Sequence, residues 1–212
     1  MTTQHQPITL YYWGTPNGRK ASIMLEELGV PYEVQFVDIN NGEQFAPAFL
    51  AISPNNKIPA IVDPEGPGGA PISIFESGAI LKYLAEKFGR FYPTEPRARV
   101  AVDEWLFWQV GGFGPMPGQV HHFVHDTTVQ QPYAIERFQK ETERLYRVLN
   151  TRLGGRQFVA DAYSIADIAI FGWAHRHQRH RVDLADYPEV ERWYAAIFAR
   201  PAVQRALSIQ RK

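Results

Sequence analysis

One X–Pro pair stands where a proline is unusual, at the start of a predicted strand between a polar loop and a hairpin. Residues 53–61 read SPNNKIPAI, so Pro59 opens the strand directly after Ile58. Proline cannot donate to a sheet ladder, and Pro59 therefore marks an edge or a special turn. If the Ile58–Pro59 bond is cis, the N–H and C=O of Ile58 face outward and can pair with an extended peptide, as in strand addition. An ordinary trans edge proline is the alternative, because only about 5% of X–Pro bonds are cis.

A second candidate site is the pair Glu76-Ser77, which precedes a predicted helix. Ser77 is a suitable N-cap, and the helix start offers free N–H groups and partial positive charge, which suit a carboxylate. Glu76 beside it can hold an ammonium group. Together the two residues are typical of a site for the α-amino acid end of a ligand. Plain helix capping is the simpler explanation of the pair when it is taken alone.

The third candidate is the turn Thr15-Pro16-Asn17-Gly18, which connects the first strand to the first helix. The dipole at such a helix start favours a thiolate, but the 212-residue chain contains no cysteine. Structural disulfides, a thiol nucleophile of the protein and cysteine-based metal sites are therefore excluded. Thr15 and Asn17 could instead hydrogen-bond a sulfur that a ligand brings, or Asn17 could simply cap the helix.

Periodicity and chain breakers predict an α/β segment around these three sites. Strands are predicted at residues 8–13, 32–39, 58–63 and 72–75, and helices at 19–28, at 47–51 and from 77 to the helix-ending Gly89. The order β-α-β-α-β-β-α begins with a βαβ unit and ends with a hairpin and a helix. In the first helix we expect the charged side chains of Lys20, Glu26 and Glu27 to face water.

After residue 96 the strand patterns end and only helical periods remain. Helices are predicted at residues 97–110, 133–153, 164–179 and 187–199, with a Gly- and Pro-rich break at 111–118. An α/β segment followed by a helical segment indicates two domains. We predict an α/β domain at residues 1–90, a linker at 91–96 and an all-helical domain at 97–212.

These motifs and several further stretches resemble cytosolic glutathione transferases over nearly the whole chain, and especially the nu class. The matching stretches are residues 15–18, 53–61, 75–81, 105–112, 114–116, 133–137 and 163–168. Members of this class act as glutathione-dependent disulfide-bond oxidoreductases. The resemblance implies the glutathione transferase fold, in which a thioredoxin-like α/β domain binds glutathione and an all-α domain binds the substrate.

The resemblance also implies how glutathione would lie in the site. Ile58, before a cis Pro59, would pair with the cysteinyl backbone of the tripeptide. Glu76 and Ser77 would hold its γ-glutamyl end, and Lys57 would meet the glycyl carboxylate by charge pairing.

Further residues are implied around the sulfur and a second ligand. Thr15 and Asn17 would flank the sulfur as the catalytic residues, with Tyr12 as a tyrosine in reserve. Gln44 matches a family position that touches glutathione. Arg137, from the helical domain, would reach a second glutathione or a substrate carboxylate. In this class the site can hold two glutathiones or the oxidised disulfide, and the protein is usually a homodimer.

The resemblance, together with the missing cysteine, makes a glutathione-dependent disulfide reductase the leading hypothesis. Disulfide exchange needs an attacking thiolate, which glutathione must supply here. The protein would position that thiol and lower its pKa. One alternative is a conventional transferase that conjugates glutathione to electrophiles, and another is a non-catalytic glutathione-binding regulatory protein.

Composition limits the partners and the location. Lys+Arg and Asp+Glu both total 22, and a neutral chain does not indicate a nucleic-acid surface. No apolar run approaches the ~20 residues of a membrane span, and the first residues lack the order of a signal peptide. We therefore expect a cytoplasmic protein. His121 and His125 are four residues apart, but only Asp126 supports them as a carboxylate, so we expect no metal site.

Overall fold

A computed structural model describes residues 5–211 of the chain and divides them into two compact units. The first unit contains the described residues up to Arg90 together with those from Pro201 onwards, and the second unit is Phe91–Arg200. The first unit holds every strand among the described residues, and the second is helical. The predicted succession of an α/β segment and a helical segment is confirmed.

A four-stranded mixed sheet forms the centre of the first unit. Its strands, in the spatial order β2-β1-β3-β4, are β1 (Ile8–Tyr12), β2 (Tyr32–Phe36), β3 (Ala60–Asp63) and β4 (Ile72–Phe75). β1 and β2 are parallel, whereas β3 is antiparallel to both β1 and β4. A parallel pair needs a crossover connection, and the segment between β1 and β2 supplies it. The predicted βαβ unit and the β3–β4 hairpin are both present.

The rest of the described chain contains nine α-helices and the loops and short turns that connect them. In chain order they are α1 (Pro16–Leu28), α2 (Pro47–Leu50), α3 (Ser77–Phe88), α4 (Pro96–Trp108), α5 (Pro115–His121), α6 (Pro132–Leu153), α7 (Ile165–Ala174), α8 (Pro188–Phe198) and α9 (Pro201–Leu207). In the part of the chain that the structure describes, none of them combines the length and the apolar character that crossing a membrane requires.

Local signals at both ends define α1. The Oγ1 of Thr15 accepts a hydrogen bond from the N–H of Gly18 at 3.1 Å, and Gly29 ends the helix in the left-handed conformation at φ 68°. The expectation that Lys20 and Glu27 face water is wrong, because they are only 1% and 9% exposed. Since β1, α3 and α9 all pack against α1, more than one side of this helix is covered.

The predicted boundaries 91–96 and 97–212 differ from the units of the structure at both ends. α9 packs against α1, where the Nε of Arg205 donates to Glu26 at 2.6 Å, so the last helix belongs to the first unit. The carbonyl of Phe91 accepts a hydrogen bond from the N–H of Ile165 at 3.0 Å. Residues 91–96, expected as a linker, therefore belong to the second unit.

The predicted break of the helical backbone in the Gly- and Pro-rich stretch after α4 is wrong. A π-helical turn at Gln109–Phe113 leads into α5, and a second one at His122–Asp126 follows it. A Cβ atom at Gly118 would lie 3.1 Å from the ring of Trp173, and one at Gly114 equally close to the indole nitrogen. These glycines therefore permit close packing between helices.

α7 is the buried centre of the second unit, and all ten of its residues are buried. It begins with the predicted capping box of Ser164 and Asp167. It ends at Ala174, short of the predicted residue 179, and a 3₁₀ turn follows at His177–His180. Asp167 accepts four hydrogen bonds at 2.9–3.2 Å, from the N–H of Val159, the N–H and hydroxyl of Ser164 and the indole of Trp193.

We expect Asp167→Ala to destabilise the protein by about 4 kcal/mol, because several buried donors lose their acceptor at once. The loss is measured as a lower midpoint in urea unfolding followed by circular dichroism.

The matched control is Asp183→Ala. Asp183 also accepts from a backbone N–H at a helical turn, but it is exposed. Its loss should cost about 1 kcal/mol. Equal losses for the two variants would show that Asp167 acts as an ordinary cap.

Candidate active site

The strand register brings the starts of two helices, α1 and α3, and the start of one strand, β3, to one edge of the sheet. Tyr11 near the end of β1 lies beside Ala60, the first residue of β3, and Ala60 lies beside Phe75, the last residue of β4. The start of α1 follows β1, and the start of α3 follows β4. The turn at Thr15, the loop before Pro59 and the start of α3 are therefore neighbours, although they are about 20 or more residues apart in sequence.

A pocket of about 270 Å³ lies at this edge. It is lined by Asn17, Ser53, Asn55, Lys57, Ile58, Pro59, Phe75, Glu76 and Ser77. Six of the nine residues predicted for glutathione binding and catalysis line it, namely Asn17, Lys57, Ile58, Pro59, Glu76 and Ser77. The structure thus brings the three candidate motifs of the sequence into one site.

The loop before β3 presents the backbone of Ile58. The buried hydroxyl of Ser53 donates to the carbonyl of Lys57 at 2.9 Å, and the N–H of Asn56 donates to the carbonyl of Ser53 at the same distance. The Ile58–Pro59 bond is cis, as the resemblance implied. Within residues 5–211, no group hydrogen-bonds to the backbone N–H or C=O of Ile58. Both groups are available to a ligand.

Glu76 and Ser77 form the other end of the pocket. Glu76 has φ 70°, a left-handed conformation that costs a glutamate about 1–3 kcal/mol and occurs most often at functional sites. Its exposed carboxylate accepts a hydrogen bond from the side-chain amide of Asn55 at 3.5 Å. The prediction that Ser77 is the N-cap is wrong, because Glu76 occupies that position and Ser77 is the first residue of α3. The first N–H groups of α3 accordingly start at the pocket.

At the start of α1, Thr15 and not Asn17 is the N-cap. Because Oγ1 of Thr15 only accepts from Gly18, its own proton remains available for a sulfur. Asn17 lies in the first turn of α1 and reaches the pocket. A Cβ atom at Gly18 would lie 2.2 Å from the carbonyl of Trp13, so this close turn requires glycine.

The sequence did not predict the lining residues Ser53, Asn55 and Phe75 as part of the site, nor Lys20, which contacts the pocket residue Ser77. The Nζ of Lys20 donates to Oγ of Ser77 at 3.2 Å and is buried beneath the start of α3. Burial lowers the pKa of Lys20 to about 7, while the negative charge of Glu76 acts in the opposite direction. Lys20 follows Asn17 by three residues, so both lie on one face of α1. This spacing is the sequence signal that could have indicated Lys20 as part of the site.

The other three predicted residues, Gln44, Thr15 and Arg137, do not line this pocket, and neither does the reserve residue Tyr12. Gln44 donates to the carbonyl of Ile39 at 3.3 Å and does not line the pocket. Thr15 is next to the pocket in sequence but does not line it. Tyr12, the tyrosine held in reserve, is a core residue whose ring packs edge-on against Phe36.

Arg137 belongs to the second unit, where it lines a cleft of about 620 Å³. The other lining residues are Met116, Tyr133, Glu136, Phe138, Lys140, Glu141, Arg144 and Arg147. Lys140 pairs with Glu136, and Arg144 pairs with Glu141. The positive charge of Arg137 helps to lower the pKa of Glu141, but its exposed guanidinium makes no hydrogen bond to another described residue and is open to an anion.

The histidines that suggested a metal lie in the same unit. His121 and His180 stack with their ring centroids 4.9 Å apart, and Trp173 packs on both. Burial lowers the pKa of His121 to about 4, with the positive charge of Arg179 as a second cause. Across residues 5–211, no group of three or more His, Cys, Asp or Glu side chains is arranged to hold a metal ion.

Comparisons with known proteins agree with this geometry. Residues 6–86 match the family profile "Glutathione S-transferase, N-terminal domain", and residues 116–201 match "Glutathione S-transferase, C-terminal domain". The chain is 55% identical over 202 residues to the disulfide-bond oxidoreductase YfcG of Escherichia coli (strain K12), and the match covers 94% of both proteins.

Two similar crystal structures contain ligands. A glutathione transferase from Pseudomonas putida, with one glutathione disulfide bound per subunit, is 46% identical with a TM-score of 0.92, over 97% of this chain and 92% of that one. A family member from Pseudomonas fluorescens pf-5 with two glutathione bound is 44% identical with a TM-score of 0.91, over 99% and 96%. The chain belongs to the glutathione S-transferase family, and the predicted fold, a thioredoxin-like domain followed by a helical domain, is confirmed.

We expect Asn17→Ala to lower kcat by about tenfold to a hundredfold while the KM for glutathione changes less, because a donor aimed at a developing thiolate acts mainly during reaction. Steady-state kinetics with glutathione as the varied substrate measures both constants.

Asn40→Ala is the control, since Asn40 is exposed and lies outside the pocket. It should leave kcat and KM unchanged. A normal kcat in Asn17→Ala would show that Asn17 only supports the helix start.

Proposed function

We propose that this protein is a glutathione-dependent thiol–disulfide oxidoreductase that uses the thiolate of bound glutathione as its nucleophile. Glutathione is its co-substrate, as the reduced tripeptide or as the disulfide formed in the reaction. The comparisons place the chain among glutathione-dependent enzymes, and its relative YfcG carries the name disulfide-bond oxidoreductase.

One observation carries the proposal: a pocket at the start of α1 in a chain without cysteine. A thioredoxin-like site normally stabilises a thiolate at this position through the helix dipole. Here the same electrostatic environment can act only on a sulfur that a ligand brings. The hydroxyl of Thr15 and the amide of Asn17 stand at this helix start as donors to that thiolate.

The ends of the pocket match the ends of the tripeptide. The free N–H and C=O of Ile58 would pair with the cysteinyl residue in the manner of an added strand. Lys57 is exposed and its ammonium group has no partner among the described residues, so it would bind the glycyl carboxylate. Glu76 would hold the ammonium group of the γ-glutamyl residue, and the start of α3 at Ser77 would hold its carboxylate.

The reaction would proceed in two exchanges. The thiolate of the first glutathione attacks one sulfur of the substrate disulfide, whose S–S bond breaks. A mixed disulfide forms, and the other half of the substrate leaves as a thiolate, which takes a proton from water. A second glutathione thiolate then attacks the glutathione sulfur of the mixed disulfide, releasing the remaining thiol and forming glutathione disulfide. Two electrons thus pass from two glutathiones to one disulfide.

A second glutathione requires a second anion-binding group. Arg137 supports this requirement, because its guanidinium is free of hydrogen bonds to the described residues while the neighbouring Lys140 and Arg144 are paired. In this proposal Arg137 binds a carboxylate of the second glutathione or of the substrate. The two glutathione molecules bound to the similar protein from P. fluorescens pf-5 support the same stoichiometry.

The decisive assay compares two substrates at the same glutathione concentration. We expect kcat/KM for hydroxyethyl disulfide, coupled to glutathione reductase, to exceed kcat/KM for chlorodinitrobenzene, because the chain offers positioning for two sulfurs. Conjugation uses the same bound thiolate and is the competing function. Turnover of the chlorinated aromatic without turnover of the disulfide would reject the proposal, and glutathione binding without any turnover would indicate a regulatory protein.

A cytoplasmic location is part of the proposal for a chemical reason. The reaction consumes reduced glutathione, and a reducing compartment maintains that pool. A chain without cysteine needs no oxidising compartment in order to fold.

We further propose that the protein is a homodimer. Val100 and Phe107 are seven residues apart on α4, hence on one face, and are 58% and 64% exposed. Exposed apolar side chains that share a face indicate an interaction surface. We expect Phe107→Glu to shift the protein from dimer to monomer in sedimentation velocity, because a buried carboxylate would oppose association.

Val129→Glu is the matched control. Val129 is exposed to a similar degree but lies outside α4, so the variant should sediment as the wild type does. Sedimentation of the wild type as a monomer would contradict this part of the proposal.

A further inference from the structure

We propose that Lys20 is a positioning residue of the γ-glutamyl subsite, where its ammonium group orients the hydroxyl of Ser77 and adds positive charge beneath the start of α3. The inference rests on the proposed glutathione site and goes beyond it, because it assigns a role to a buried residue that does not line the pocket.

The geometry links two helices through one hydrogen bond. Lys20 lies one turn into α1, and its Nζ donates at 3.2 Å to Oγ of Ser77, the first residue of α3. An ammonium group can only donate, so the hydroxyl must accept from it. The proton of Ser77 then points to another acceptor, and the pocket is where a ligand would offer one. A hydroxyl polarised by a cation is also a stronger donor.

The charges around the subsite alternate in a way that suits an α-amino acid. Lys20 is positive and 1% exposed, whereas Glu76, at the N-cap of α3, is negative and exposed. A ligand carboxylate at Ser77 would face Lys20, and its ammonium group would face Glu76. A buried positive charge is costly, and a bound carboxylate would supply an opposite charge.

The protonation of Lys20 should depend on the ligand. Burial lowers its pKa to about 7, and Glu76 is the charged group that acts against this change. Of the other elements that pack on α1, α9 contributes Arg205, which is paired with Glu26, and β1 contributes the buried ring of Tyr12. A bound carboxylate favours the protonated form and raises the pKa of Lys20. Ligand binding near pH 7 would therefore take up a proton.

The test measures the binding of S-methylglutathione by calorimetry, since a blocked thiol removes the titration of the sulfur. In the wild type we expect Kd to be on the order of fivefold weaker at pH 8 than at pH 6, as the free protein loses the Lys20 proton. Titrations in two buffers with different ionisation enthalpies should show proton uptake at pH 7.

In Lys20→Met the Kd at pH 6 should be about tenfold weaker, because a charge-assisted interaction is lost. Both the pH dependence and the proton uptake should disappear. Lys82→Met is the matched control: it removes a lysine from α3 away from the pocket and should keep the wild-type Kd and pH dependence.

Urea unfolding separates this role from a structural one. In the unfolded chain Lys20 has its ordinary pKa of 10.5, against about 7 in the folded protein. Between these values the unfolded state binds more protons, so wild-type stability rises with pH across this window, and the buried charge destabilises the fold most below pH 7. We therefore expect Lys20→Met to unfold at no lower urea concentration than the wild type at pH 6.

The outcomes are distinct. Wild-type binding of S-methylglutathione with the same Kd and pH dependence in Lys20→Met would overturn the role of Lys20 while leaving the glutathione site intact. Weaker binding that accompanies a lower urea midpoint would assign Lys20 a structural role and also overturn it. A wild type that does not bind S-methylglutathione would instead refute the proposed function itself.

Discussion

The pairing of β1 with β3 and of β3 with β4 is the constraint on which the whole site depends. Because Ala60 lies beside both Tyr11 and Phe75, the strand ends that lead into α1 and α3 flank the strand start that follows Pro59. Shifting either strand pair by one residue would move a helix start away from the backbone of Ile58 by about 3 Å. The buried faces of the strands prevent such a shift, because each register also defines which side chains enter the core.

The electrostatics of the pocket follow from this convergence. Two helix starts direct partial positive charge to one edge of the sheet, and Lys20 adds a positive charge beneath one of them when it is protonated. Lys57 and Glu76 then stand at separate positions of the pocket with opposite charges. This arrangement suits a zwitterionic peptide with a thiol between its ends, and it does so without a reactive group of the protein's own.

Local sequence signals predicted well those features that depend on a few neighbouring residues. The capping box of Ser164 and Asp167, the helix end at Gly29 and the β3–β4 hairpin are all present. The errors concern features that distant elements decide. The sequence suggested that Lys20 is exposed, that the helical domain extends to residue 212 and that the helix breaks after Val110. Instead, the packing of α3 and α9 on α1 buries Lys20 and joins α9 to the first unit. The packing of Trp173 against Gly114 and Gly118 accommodates a continuing helical backbone.

The sequence by itself determined that any reactive sulfur must come from a ligand, because a chain without cysteine has no thiol in any conformation. It also determined the order of strands and helices through periodicity and chain breakers, which act over one or two turns. Only the tertiary structure decided that Asn17, Ile58 and Glu76 share one pocket and that Lys20 lies beneath it. Proximity and burial depend on which faces other elements cover, and that information is spread over the whole chain.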